Sequence, residues 1–371
     1  MKKIAFLLTN LKYGGIETNT LRLIKYFIKK DYKVDLVIID LKGDLVSKIP
    51  AEVTLIDLNR KKAHFSIFAM RKYLKENKPD YLISAKERNN VLSYYSIKFA
   101  GVNTKLIASV RTQLELEYNR KMNLKQKILR LIDYSMAKHV YDDIDYLVAV
   151  SKGVKDNLES FFNLKRNDIK VIYNPVVTEE IDLLKDEEVN HKWFNNKQIK
   201  VVIGVGRLSP PKNFLMLLKA FSKAVNENKN LRLVILGDGP RNIKNQLEGY
   251  IDKNNLNNKV DLLGFVENPY KYVNNASVFV LSSSWEGFGN VVAEALAVGT
   301  PVVSTNCPSG PEEILNGGEY GAIVPVNDYE RLAEEILNTL STSIDSKELI
   351  KRSKKFSVEE SARGYLDIIE N

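Results

Sequence analysis

The stretch Leu281–Leu315, LSSSWEGFGNVVAEALAVGTPVVSTNCPSGPEEIL, decides the fold. It opens on a Ser-rich strand end and passes through Trp285-Glu286-Gly287-Phe288-Gly289-Asn290. An apolar helical segment, VVAEALAVG, follows and stops at Gly299; a second apolar strand, Pro301–Ser304, then leads through a Gly-Pro turn to Glu312 and Glu313. Strand, glycine-bearing turn, helix and strand make a βαβ unit, which implies a parallel sheet. Without a β-carbon, Gly287 and Gly289 admit a ligand close to the backbone. The first turn of the helix presents amides with no acceptor inside the helix, backed by the positive end of its dipole. Glu286 and Glu294 flank the helix start with seven residues between them, and the second carboxylate could accept hydrogen bonds from a ribose or sugar hydroxyl. Two glutamates at this spacing are also compatible with an ordinary βαβ turn.

Composition bounds the rest. At 371 residues the chain exceeds one typical core, so two domains are expected. A single cysteine, Cys307, allows no internal disulfide and no cysteine-built metal cluster, which fits a reducing compartment. The three histidines (His64, His139, His191) are widely spread, which argues against a His-built metal site. No apolar run reaches the roughly 18 residues of a membrane span, and Met1-Lys2-Lys3 leads straight into a strand; the expected location is cytoplasmic. Charge is lopsided: residues 1–175 carry 33 Lys+Arg against 19 Asp+Glu, net +14, and residues 176–371 carry 22 against 27, net −5. A basic first half suggests an anionic membrane face, a phosphorylated lipid or nucleic acid as partner. A scattered Lys-rich solvent surface accounts for the same numbers.

Along the chain, Lys3–Thr9 reads as a buried strand. Asn10-Leu11-Lys12-Tyr13-Gly14-Gly15-Ile16-Glu17 follows, then a helix with apolar Leu21, Leu23, Ile24, Phe27 and Ile28. Val34–Ile39, Glu52–Leu58, Asp80–Ser84 and Lys105–Val110 read as further strands, with a helix over Ser66–Asn77. The alternation predicts a doubly wound parallel sheet with its pocket at the carboxyl ends of the strands, where Arg111 would line the cleft. Two segments concentrate positive charge: Arg60-Lys61-Lys62, and Asn119–Leu131 (NRKMNLKQKILRL). The latter can be a basic amphipathic helix on an anionic membrane or a core-facing helix with a solvated basic face. His139 reads as an ordinary helix-surface residue. Asn174-Pro175, where the charge balance changes, marks a linker, giving domains over 1–175 and 176–355. The second domain opens on a strand, Val201–Leu208, before Ser209-Pro210-Pro211-Lys212-Asn213. Leu231–Leu236 leads to Gly237-Asp238-Gly239-Pro240, and Val260–Leu263 to Gly264-Phe265-Val266. Asp143 and Asp145 have Asp-x-Asp spacing but precede a strand, and read as helix-end solvation.

Several of these motifs together resemble the retaining glycosyltransferases of family 4. They are Glu286-x7-Glu294 with GTPVVSTNCPSGPEEIL after it, Gly206-Arg207-Leu208 with Lys212-Asn213, Gly237-Asp238-Gly239-Pro240, and Gly14-Gly15-x-Glu17. The likeness is strong over 201–315 and weaker in the first half. It implies the GT-B fold: two Rossmann-like doubly wound α/β domains facing a cleft, the first (1–175) binding acceptor and the second (176–355) binding a nucleotide-sugar donor. It also implies that the terminal helix, 356–371, packs back on the first domain. Arg207 and Lys212 would supply two cations to the donor diphosphate; Gly15 and the helix start at Phe288, Gly289, Asn290 and Val291 would supply amides. Glu286 would take donor sugar hydroxyls, Glu294 the ribose, and Val266 would border the base; Arg111 is added as a cleft-lining donor contact. Where many members carry a histidine near the fifth strand end, this chain has Ser109-Val110-Arg111-Thr112, so no first-domain histidine is assigned to catalysis.

The function expected is transfer, with retention, from a UDP-linked hexose or N-acetylhexosamine to a polyprenyl-diphosphate-linked glycan in capsule, O-antigen or other surface polysaccharide assembly. Glu286, Arg207 and Lys212 are the catalytic candidates. No cofactor, no metal and no nucleic-acid partner are expected, and peripheral contact with an anionic membrane is. A nucleotide-sugar 2-epimerase and a non-catalytic nucleotide-sugar or nucleic-acid binding protein are the alternatives.

Overall fold

The computed structural model describes the chain apart from residues 1, 61–65, 119–123, 165 and 167, and gives the backbone alone for 117–118 and 124–129. The chain divides into two compact units, Met1–Pro175 with Val358–Asn371, and Val176–Ser357. Each is an α/β unit built on a wholly parallel sheet.

Among the described residues the first sheet has seven strands: β1 (Lys3–Leu8), β2 (Lys33–Ile38), β3 (Thr54–Asp57), β4 (Tyr81–Ala85), β5 (Lys105–Val110), β6 (Tyr146–Ala149) and β7 (Lys170–Val171). Their order is β3-β2-β1-β4-β5-β6-β7. β1, KIAFLL, is buried along its length apart from Lys3, as a strand covered by helices on both faces must be. The chain runs outward from β1 in one direction and then from β4 in the other, so the carboxyl ends of β1 and β4 form a topological switch point. The helix Val358–Ile369 lies against the helix Gly15–Lys29, and its Tyr365, Ile368 and Ile369 join Ile4, Phe6 and Ile172 in the core. Burying each such side chain contributes about 1.5–3 kcal/mol.

The second sheet has six strands: β8 (Lys200–Val205), β9 (Leu231–Leu236), β10 (Val260–Gly264), β11 (Val278–Leu281), β12 (Val302–Thr305) and β13 (Ala322–Val324). The order is β10-β9-β8-β11-β12-β13, with its switch point between β8 and β11. The helix Phe214–Glu227 places Phe214, Leu217, Leu218 and Phe221 in the core beneath β8 and β9.

Some segments differ from the sequence reading. The third strand is shorter than Glu52–Leu58, because residues 51–53 turn before the chain extends at Thr54. The basic segment 119–131 begins outside the described residues, as do Lys61, Lys62 and His64; from Leu124 the chain is helical to Asp143. Asp143 and Asp145 are not merely solvated. Asp143 accepts from Tyr94 Oη at 2.6 Å and pairs with Lys98 at 3.1 Å, and those partners hold its carboxyl below the usual range. Asp145 takes Lys105 Nζ at 2.8 Å and Leu106 N at 3.0 Å. His139 is exposed, with its ring edge-on to Tyr94.

Candidate functional site

The loop after β8 begins with Gly206, passes exposed Arg207 and tightens into a single 3₁₀ turn, Pro210–Lys212, with proline at its start. Two hydrogen bonds tie this turn to the end of β11: Ser284 N donates to Pro211 O at 2.7 Å, and Ser282 Oγ donates to Lys212 O at 3.0 Å. They deliver Lys212 to Glu286, Nζ to Oε1, at 2.6 Å, with the two side chains 21% and 12% exposed. Ser283 Oγ donates to the same oxygen at 2.6 Å. Glu286 Oε1 is therefore doubly occupied, and Oε2 has no hydrogen bond among the described residues, leaving it able to accept from a ligand hydroxyl. A carboxylate with an ammonium and a hydroxyl on one oxygen is held in one orientation, at a cost in nucleophilicity.

Beyond Glu286 the chain turns through Gly287 and buried Phe288, whose ring packs edge-on against Phe356 at 5.4 Å. The Phe288 side chain is thus core, and only its backbone is left for a ligand role. Gly289, at φ 88°, sits in the left-handed region and opens the helix Asn290–Ala297 with no side-chain cap. Glu294 lies one turn in, with Tyr270 Oη 3.5 Å from its Oε1. That contact puts Glu294 beside the segment following Val266, which is half-buried just past β10.

The structure thus brings Lys212 and Glu286 into contact and sets the Phe288–Val291 turn directly after them. Among the described residues the Arg207 side chain makes no hydrogen bond or ion pair; its carbonyl accepts from Ser209 Oγ. Gly15 and Arg111 lie in the other compact unit, where Arg111 bonds Ser109 Oγ and Asn174 Oδ1, each at 3.3 Å. Sequence reasoning missed Ser283 and Tyr270. The Ser282-Ser283-Ser284 run was a signal for the first, whereas nothing in NPYKYV marks the second as a neighbour of Glu294.

Beside the pair, Ser284, Asn306, Pro308, Ile323, Val324, Pro325 and Val326 line an open hollow of about 660 Å³ at the carboxyl ends of β12 and β13. It is large enough for a sugar-sized ligand. Cys307 is buried nearby; burial first, and the Glu286 carboxylate second, push its thiol from 9.0 up to about 12. A thiol raised on folding adds stability below pH 9 that is lost as pH climbs towards 12. At pH 8 iodoacetamide is therefore expected to label folded Cys307 about a thousandfold more slowly than the denatured chain, since only the thiolate reacts. Equal labelling rates, read by mass spectrometry, would contradict this burial.

Among the described residues no group of three or more His, Cys, Asp or Glu could hold a metal ion, and no helix is long and apolar enough to cross a membrane.

The family described as "Glycosyltransferase Family 4" matches residues 13–180, and "Glycosyl transferases group 1" matches residues 185–356. A Campylobacter jejuni GalNAc-alpha-(1->4)-GalNAc-alpha-(1->3)-diNAcBac-PP-undecaprenol alpha-1,4-N-acetyl-D-galactosaminyltransferase is 28% identical over 100% of this chain and 98% of its own. A second enzyme of that organism, N-acetylgalactosamine-N,N'-diacetylbacillosaminyl-diphospho-undecaprenol 4-alpha-N-acetylgalactosaminyltransferase, is 30% identical over 65% of this chain. The match spans 61% of that relative's length, and also 61% of an uncharacterised glycosyltransferase of Methanocaldococcus jannaschii. Among solved structures, Anabaena HepE in complex with UDP-glucose superposes with a TM-score of 0.81 at 19% identity, covering 100% of both chains. The fold is GT-B, and the chain belongs to glycosyltransferase family 4.

Proposed function

We propose that this protein transfers a sugar, with retention of configuration, from a UDP-linked hexose or N-acetylhexosamine to a polyprenyl-diphosphate-linked glycan in bacterial surface polysaccharide assembly. The observation that carries the reading is the Lys212–Glu286 pair at the β8/β11 switch point, beside the Gly289 helix start. The named activities of the two Campylobacter relatives, both on diphospho-undecaprenol acceptors, favour the acceptor class. UDP-glucose on the structural neighbour favours the nucleotide.

In this reading the donor diphosphate lies at the carboxyl ends of β8 and β11. Lys212 and Arg207 offset the charge that builds on the leaving diphosphate, aided by amides at the helix start. Electrostatic stabilisation of this kind is usually the largest catalytic contribution. Glu294 holds the ribose and Val266 borders the base. Glu286 takes donor hydroxyls through Oε2; with Lys212 and Ser283 on its other oxygen, it is better suited to orienting than to attacking. That favours a front-face reaction, in which the departing diphosphate oxygen accepts the acceptor's proton, over double displacement through Glu286. The first unit takes the acceptor, with Gly15 and Arg111 as further donor contacts. Its net charge, together with exposed Phe68, Phe99, Leu131 and Ile132, supports peripheral contact with an anionic membrane on the cytoplasmic side.

The test is incubation of the protein with UDP-sugars and a short polyprenyl-diphosphate-linked glycan in EDTA. The expected product carries the donor's own α configuration by the proton coupling of its new anomeric centre, at an unchanged rate. An inverted product refutes retention, and a rate abolished by EDTA and restored by manganese refutes metal independence. A 2-isomerised sugar formed from donor alone would show an epimerase instead.

A further inference from the structure

The first unit has its own topological switch point, at the carboxyl ends of β1 and β4. There, Lys86 directly follows β4, at φ 77° and ψ 137°, a backbone conformation that a residue with a β-carbon adopts only when its surroundings impose it. Its Nζ lies 2.7 Å from Glu17 Oε1; the lysine side chain is 40% exposed and the glutamate 7%. Glu17 stands in the first turn of the helix Gly15–Lys29, and its carboxylate lies against the loop after β1, since a β-carbon on Gly14 would sit 2.5 Å from Glu17 Oε2. An ammonium has three protons, so Glu17 can position Lys86 while two protons remain for a ligand.

Lys86 also opens the helix Glu87–Ala100, whose start has no side-chain cap. On its first turn Asn89 is 2% exposed. Thr9 Oγ1, just past β1, donates to Asn89 Oδ1 at 3.3 Å, which holds the amide group between the ends of β1 and β4. Its Nδ2 is buried without a partner among the described residues. A buried donor lacking an acceptor is uncommon in a native fold and calls for an explanation. Lysine protons, an uncapped helix start and an orphaned amide all ask for an oxygen-rich, negatively charged ligand. Two carboxylates oppose it: Glu17, matched by Lys86, and Glu87 on the helix's first turn.

The second unit repeats the arrangement with the signs exchanged. At β8/β11 the lysine, Lys212, follows the first of the two central strands and the glutamate, Glu286, follows the second. At β1/β4 the glutamate comes first and the lysine second. We infer that the carboxyl ends of β1 and β4 form a second oxyanion site, in which Lys86 and Asn89 bind a phosphate group and Glu17 positions Lys86. The inference rests on the transfer reading only for what carries that phosphate, a nucleoside diphosphate donor or a lipid diphosphate acceptor.

Lysine acetylation of the full chain, read residue by residue by mass spectrometry, tests it. Saturating inorganic pyrophosphate is expected to slow modification of Lys86 by about fivefold or more. UDP and geranyl diphosphate are then run separately, and the one that protects Lys86 names the source. In a Lys212→Met background, calorimetry should still find a pyrophosphate site. Lys86→Met should weaken it by about tenfold, Lys86→Arg should retain it, and Glu17→Gln should tighten it by removing a negative charge. Lys86 modified equally fast with and without pyrophosphate overturns the site; if Lys212 is protected in the same sample, the transfer reading survives. Retention by Lys86→Arg separates a lost contact from a misfolded Lys86→Met.

Discussion

Replacing Lys212 by alanine is expected to lower kcat/KM for sugar transfer by about 2–4 kcal/mol of transition-state stabilisation, roughly 30- to 1,000-fold. The substitution acts twice. It removes the cation proposed to meet the leaving diphosphate, and it strips Glu286 of the partner it holds at 2.6 Å. A half-buried carboxylate without its ammonium then faces an anionic donor. The same scale is expected for Glu294→Gln, but as a rise in donor KM, because the ribose contact proposed for it would be equal in ground and transition states. Steady-state kinetics with donor and acceptor varied in turn separate the two patterns. Wild-type kcat/KM in Lys212→Ala would remove Lys212 from the site.

Replacing Gly310 by alanine is expected to destabilise the protein by about 3–5 kcal/mol, at the severe end for a single substitution. Gly310 sits at φ 91°, ψ −62°, and a β-carbon there would lie 1.8 Å from Phe288 O. That contact is with backbone, so no rotamer change relieves it. The Phe288–Gly289 turn must shift, and with it the helix start proposed for the diphosphate, so nucleotide binding should fall beyond what the stability loss explains. Gly249, inside the helix Arg241–Lys253 with open space around its β-carbon position, is the control: Gly249→Ala should stabilise by about 1 kcal/mol. Denaturant unfolding of both variants measures the contrast. Equal stabilities would mean that the 308–311 loop does not press on Phe288 as described.

Much of this architecture is legible along the chain because its signals are local. Leu231–Leu236 is a strand in both readings, since a six-residue segment, apolar apart from Arg232, between polar turns fits a strand buried on both faces. The terminal helix, expected over 356–371 from the resemblance, runs from Val358 to Ile369, the one- or two-residue difference that helix ends ordinarily show. Lys212 and Glu286 were each picked out by motif. Their direct contact was not, because it joins residues 74 apart and depends on strand order, which local patterning does not reveal. The same holds for Lys86 and Glu17, 69 residues apart, and for Tyr270 beside Glu294. Ser283 shows the limit most clearly. A serine at a strand end is unremarkable until the neighbouring strand loop brings Lys212 to the same carboxylate oxygen.

The central claim is that the β8/β11 switch point holds the donor's diphosphate through Lys212 and the Gly289 helix start. Isothermal titration of UDP into the wild type and into Lys212→Ala tests it most directly. The expected result is one UDP bound per wild-type chain in the micromolar range, weakened about 30-fold or more in a variant that unfolds as cooperatively as the wild type. UDP binding of equal strength in both proteins, or none in the wild type, would contradict it.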